Sequence, residues 1–145
     1  MRLKFGWSMA LSLTLLCQCA ALARPALFSD LSLADAKAQA KKEGKLLVVD
    51  FTASWCPPCG EMDKTTWEDS AVVKWMHDNA VAIQIDVDKE QNLAKDLKIL
   101  AMPSLVVFAN QPEEADRVVG FYDSDDLLDW LKSIRSGVSG IERKQ

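Results

Sequence analysis

The amino-acid sequence predicts an α/β fold whose elements follow one another in the order αβαβαββα. Three observations carry that reading. Runs rich in β-branched and aromatic residues with little polar alternation recur at 45–51, 80–86 and 104–109, the pattern of strands buried on both faces. Capped, amphipathic segments stand between them, as βαβ crossovers require. The chain has 145 residues, 49% of them hydrophobic and 26% charged, enough for one well-filled core and too few for two. That composition excludes disordered, collagen-like and coiled-coil classes.

The first stretch is set apart from the fold. Residues 1–23 contain no acid, carry Arg2 and Lys4 near the start, run apolar from Trp7 to Leu22 and finish Ala21-Leu22-Ala23. A basic n-region, an apolar h-region and a small-x-small site describe a secretory signal peptide cleaved after Ala23. The rival is a retained membrane anchor, since about 20 apolar residues span a bilayer. Acylation at Cys17 or Cys19 is a weaker third reading, because Leu16 and Gln18 precede them where a small residue is wanted. Cleavage leaves one domain, 24–145, in an exported compartment, with Cys56 and Cys59 as its two cysteines. Loss of Arg2 and Lys4 reduces 17 basic residues to 15 against 21 acidic ones, a net charge of −6. No nucleic-acid surface is expected, since that affinity comes from clustered Lys and Arg.

Each element has a local cause. Residues 30–43, DLSLADAKAQAKKE, offer Asp30 or Ser32 as N-cap and small apolar residues at helical spacing, with Gly44 to end the helix. Lys45–Phe51 is a strand with an acid, Asp50, inside it. A helix opens at Pro57, where a missing N–H costs nothing, and runs to Thr66. Glu68-Asp69-Ser70 interrupts it and caps a second stretch, Ala71–Asn79, with Val72, Trp75 and Met76 on one face. Ala80–Asp86 is the next strand, followed by a short helix at Asn92–Lys98. Ser104–Ala109 is a third buried strand, 110–115 a turn, and Asp116–Phe121 the returning arm of a hairpin. Ser124 caps a final helix, Asp125–Ser136, with Leu127, Leu128, Leu131 and Ile134 inward, and the polar tail from Gly137 is expected to fray.

Trp55-Cys56-Pro57-Pro58-Cys59 lies between a strand and a helix, the context that makes a CxxC a redox motif. Unpaired N–H groups and the macrodipole at the helix N-terminus favour a Cys56 thiolate, while Cys59, one turn in, is more buried. With Cys56 as N-cap, Pro57 and Pro58 take the first two helical positions and neither donates, so the Cys59 N–H is the nearest backbone donor to the Cys56 sulfur. The rivals are zinc and a structural disulfide. Zinc wants three or four ligands and the mature chain adds only His77, on a distant helix. So short a disulfide loop stabilises little. Asp50 lies six residues before Cys56, where a buried carboxyl with a raised pKa suits a proton shuttle for Cys59 through a water; the alternative is a strand-end residue that reaches solvent. Pro103 opens a buried strand, and Met102-Pro103 is read either as a cis bond facing the dithiol or as an ordinary trans strand start. His77 reads as a helix-surface residue, and Trp67, Trp75 and Trp130 as packing.

Val49-Asp50-Phe51, Trp55-Cys56-Pro57-Pro58-Cys59, Met102-Pro103 before a strand and Val119-Gly120 before the last helix together resemble the thioredoxin family over residues 30–136. The resemblance implies a thioredoxin fold, a central mixed sheet flanked by helices. It implies Cys56 as nucleophile, Cys59 as resolving thiol, Asp50 as proton shuttle, and a cis-proline platform at Met102-Pro103, with substrate binding around Trp55, Pro57, Pro58, Met102 and Pro103. The stretch Glu61–Ser70 with Val73 is more similar to the C-terminal periplasmic domain of the thiol:disulfide interchange protein DsbD, without its transmembrane part. Two positions depart from the family: Pro-Pro replaces Gly-Pro between the cysteines, and Thr52 stands where an aromatic often follows Asp-Phe. Both bear on the redox potential.

The expected function is a periplasmic thiol:disulfide oxidoreductase acting as a reductase on disulfide-containing exported proteins, recharged by a membrane-bound donor of the DsbD type. No metal or cofactor is called for. A binding module of another class would use the dithiol as a copper(I) ligand in cytochrome or oxidase assembly, with Met62 and Met102 nearby. A dithiol oxidase is a further alternative. So is an isomerase, although no dimerisation segment is visible.

Overall fold

A computed structural model of the chain describes residues 24–110 and 113–137. The signal-peptide reading of residues 1–23, two residues of the turn after Asn110 and the tail beyond Gly137 fall outside the described residues.

Ser32 is the cap chosen for the first helix, α1 (Leu33–Glu43): its hydroxyl accepts the Asp35 N–H at 3.1 Å. Gly44 ends α1 with φ 64°, a conformation that a side chain would oppose. The first strand, β1 (Leu46–Thr52), leads through a tight turn into α2 (Pro57–Lys64), a 3₁₀ turn (Thr66–Glu68) and α3 (Ser70–Asn79). Next come β2 (Ala80–Asp86), α4 (Gln91–Asp96), the hairpin of β3 (Ser104–Phe108) and β4 (Glu114–Val119), and α5 (Ser124–Arg135).

The four strands form one mixed sheet in the order β2-β1-β3-β4. β1 pairs parallel with β2, placing Asp50 beside Gln84, and antiparallel with β3, which pairs antiparallel with β4. Both faces of β1 are covered. Leu46 and Val48 pack into a cluster with Met62, Trp67, Val72, Met76, Leu127 and Leu131, while Leu47, Val49 and Phe51 meet Ala36 and Ala40 of α1 on the other side. That double burial is the physical reason for the lack of alternation in residues 46–51. Asp50 shares the β1 face of Leu46 and Val48. It therefore points toward α2 and the 3₁₀ turn.

Several boundaries move. The helix expected to reach Thr66 stops at Lys64, and the chain continues as the 3₁₀ turn, which buries Thr66 and Trp67. Asp69, accepting from the Ala71 and Val72 N–H groups, is the cap of α3. Asp123 and not Ser124 caps α5, taking the Asp126 N–H at 2.9 Å. The hairpin's second arm lies two residues earlier than expected. Glu114 already pairs with Phe108, and at Gly120 (φ 104°) the chain turns away, its N–H donating to the Pro103 carbonyl at 2.8 Å. α4 ends before Lys98, which has a positive φ of 54°. Among the described residues no helix is long and apolar enough to cross a membrane.

Candidate redox site

The cysteine pair is built by the start of α2. Cys56 is its N-cap in an extended conformation, Pro57 and Pro58 fill the first two helical positions, and the Cys59 N–H donates to Cys56 Sγ at 3.3 Å. The donor assignment read from the sequence holds. The two sulfurs form a disulfide with an S–S distance of 2.04 Å and a Cα–Cα distance of 5.4 Å. Cys56 is 7% exposed and Cys59 3%, packed with Ala53 and flanked by Val87 and Met102. Pro57 and Pro58 carry no N–H and the Cys56 N–H is bonded to the Ala53 carbonyl, so the Cys59 N–H is the backbone donor that the start of α2 presents to the Cys56 sulfur.

The flanks carry the residues named for substrate binding. Trp55 is 62% exposed, and its indole N–H donates to Asp88 Oδ2 at 2.8 Å. Pro57 is exposed and Pro58 half-buried. The Met102-Pro103 peptide bond is cis, with Met102 against the cysteine pair and Pro103 buried. Of the two readings left open by the residues, the structure has the cis one.

On the β1 face turned toward α2 lies Asp50, 2% exposed, so the solvent-reaching alternative does not hold. Burial pushes its carboxyl up to about 7. A hydrogen bond from Gln84 opposes that rise, the charge of Asp63 adds to it, and the Trp67 indole N–H opposes it. The indole faces the carboxyl without reaching hydrogen-bond geometry, and Asp50 Oδ1 and Trp67 Nε1 both lack a hydrogen-bonding partner. Gln84 Nε2 donates to Asp50 Oδ2 at 3.0 Å and to Asp63 Oδ1 at 2.8 Å. Asp63 is half-buried, and its carboxyl is also raised by burial, against the pull of the Gln84 bond.

Sequence reasoning did not single out Gln84 or Asp63 as site residues. The available signals were a lone amide in the apolar run AVAIQID and an acid one helical turn after Cys59. Together with Thr52, Trp55, Cys56, Pro57 and Gly60, they line a groove beside the motif. Other residues stay apart. His77 is exposed on α3 beside Asp78, and Trp67 lies in the core. Met62 packs into that same core cluster, so only Met102 of the two methionines meets the cysteines. Among the described residues no three His, Cys, Asp or Glu side chains are grouped to hold a metal.

A family model described as a thioredoxin-like domain matches residues 33–135. This chain belongs to the thioredoxin-like family. It is 41% identical over 87 residues to thioredoxin H4 of Arabidopsis thaliana, covering 60% of this chain and 70% of that one. It is 32% identical over 96 residues to the thiol:disulfide interchange protein DsbD of Campylobacter jejuni, covering 63% of this chain and 17% of DsbD. The solution structure of a Thermus thermophilus thioredoxin superposes with a TM-score of 0.61 at 24% identity, over 74% of this chain and 84% of that one, a likeness of fold. The thioredoxin-like protein is thus a thiol:disulfide oxidoreductase with a mixed sheet flanked by helices and a CxxC pair at disulfide distance.

Proposed function

We propose that this thioredoxin-like protein is an exported reductase of disulfides in periplasmic proteins. The observation that carries the reading is a sealed carboxyl, Asp50, on the sheet face turned toward the helix that presents Cys56 and Cys59. In the reduced protein the Cys56 thiolate attacks a substrate disulfide, forming a mixed disulfide and expelling one substrate thiolate. Asp50 takes the Cys59 proton, and the Cys59 thiolate attacks Cys56 Sγ, releasing the second substrate sulfur as a thiolate. Two electrons pass to the substrate, and the protein is left as the Cys56–Cys59 disulfide. A carboxyl whose pKa sits near neutrality both accepts and returns a proton at physiological pH.

Trp55, Pro57, Pro58 and Met102 offer the accessible surface beside the pair against which a substrate chain would lie, and the buried Pro103 follows Met102 through the cis bond. Turnover requires a dithiol donor to reduce the disulfide again. The DsbD likeness, confined to 17% of that protein's length, supports a membrane-bound donor of that kind. The layout of residues 1–23 supports export.

A Cys59→Ala variant of the whole chain tests this reading by removing the resolving thiol. It is expected to accumulate mixed disulfides between Cys56 and exported proteins, seen as thiol-sensitive adducts on non-reducing gels, and Cys56→Ser is expected to form none. Absence of adducts from a folded Cys59→Ala protein in the periplasmic fraction would overturn the reading.

A further inference from the structure

Asp50 alone would suffice as a proton acceptor, yet a glutamine and a second carboxyl converge on it from two other elements. Gln84 stands in β2 at the register position beside Asp50, and Asp63 is carried by α2. One amide nitrogen serves both acids, with Asp50 Oδ2 at 3.0 Å and Asp63 Oδ1 at 2.8 Å. A primary amide has two N–H bonds, so both contacts are made at once, each stronger when its carboxylate is ionised. The groups facing the Asp50 carboxyl are Gln84 from β2, Asp63 from α2 and the neutral Trp67 indole from the 3₁₀ turn, with apolar Leu105 beside it in β3. Among the described residues no lysine, arginine or histidine is one of the groups acting on it. Asp50 is sealed, whereas Gln84 and Asp63 line the groove that also passes Cys56.

We propose that Gln84 is a positioning residue for proton transfer at Asp50: shared between the buried Asp50 and the groove-lining Asp63, its amide nitrogen holds both carboxylates in place and ties the protonation of one to the other. The inference rests on the reading of Asp50 as acceptor of the Cys59 proton. Gln84 supplies the only hydrogen bond to the Asp50 carboxylate among the described residues, its other oxygen having no partner. Loss of that bond leaves a buried anion uncompensated and favours the protonated acid. The charge of the half-buried Asp63 opposes ionisation of Asp50 across the shared amide.

The test uses the disulfide form, in which the cysteines do not titrate, and follows the Asp50 carboxyl carbon by NMR against pH. Gln84→Met keeps length and volume but has no N–H. It is expected to raise the Asp50 midpoint by about one pH unit. Asp63→Asn is expected to lower it, and this half-exposed position keeps the test available should Gln84→Met not fold. An Asp50 midpoint that stays in place in either folded variant overturns the inference, whatever happens to activity. The pH–rate profile of disulfide reduction is expected to follow the midpoint in each variant. Midpoints that move as stated while the rate profile stays fixed leave the shared amide standing and overturn the assignment of Asp50 as the Cys59 base.

Discussion

Asp50 is where chemistry and stability meet at the scale of one residue. Its carboxyl titrates near 7 in the folded protein, against 3.8 for the ordinary group. Between those values the folded chain binds a proton that the unfolded chain has released, so stability from this group is complete below about pH 4 and is lost as pH rises through 7. A difference of about three units corresponds to about 4 kcal/mol of lost stability at pH 8. Asp50→Asn, which keeps an oxygen for Gln84, is therefore expected to raise the urea midpoint of the oxidised protein at pH 8 and leave it nearly unchanged at pH 4. Equal effects at both pH values would contradict the assignment. Asp50, Cys56 and Cys59 were legible because their spacing lies within one strand-turn-helix segment. Gln84 was not, because its place beside Asp50 is made by the parallel pairing of β1 with β2 across 34 residues of chain, which no local pattern records.

At the scale of the element, α2, the 3₁₀ turn and α3 form a continuous stretch over the sheet, and Asp69 restarts the helix. Its carboxylate accepts from Ala71 N at 2.8 Å and Val72 N at 3.1 Å. Asp69→Ala is expected to cost about 1 kcal/mol of stability, read as a lower urea midpoint at unchanged slope. The Cys56–Cys59 couple, at the other end of the stretch, should keep its potential. Helices and strands were legible as elements, and their ends were not. The run Asp123-Ser124-Asp125 holds several residues able to cap, and the choice of Asp123 is settled by how α5 packs through Leu127, Leu128 and Leu131. The limits of β4 follow pairing with β3 and the Arg117 side chain, which reaches Glu114 and the Leu97 carbonyl. Both determinants are tertiary.

At the scale of the whole molecule, the central position of β1 organises the site. Flanked by β2 and β3 and covered on both faces, it can seal a carboxyl from water while its C-terminal end delivers the chain to Cys56. The α/β class and the closing hairpin were legible from buried runs and turn signals. Composition and periodicity carry no sheet order, because that order depends on which strand edges meet after the crossovers. The central functional claim is direction: electrons leave Cys56 and Cys59 for substrate disulfides. The most direct measurement is the equilibrium reduction potential of that couple, by titration against glutathione buffers. The expected value lies near that of a reducing thioredoxin, about −270 mV, while a value near that of a strong dithiol oxidant, about −120 mV, would contradict the claim.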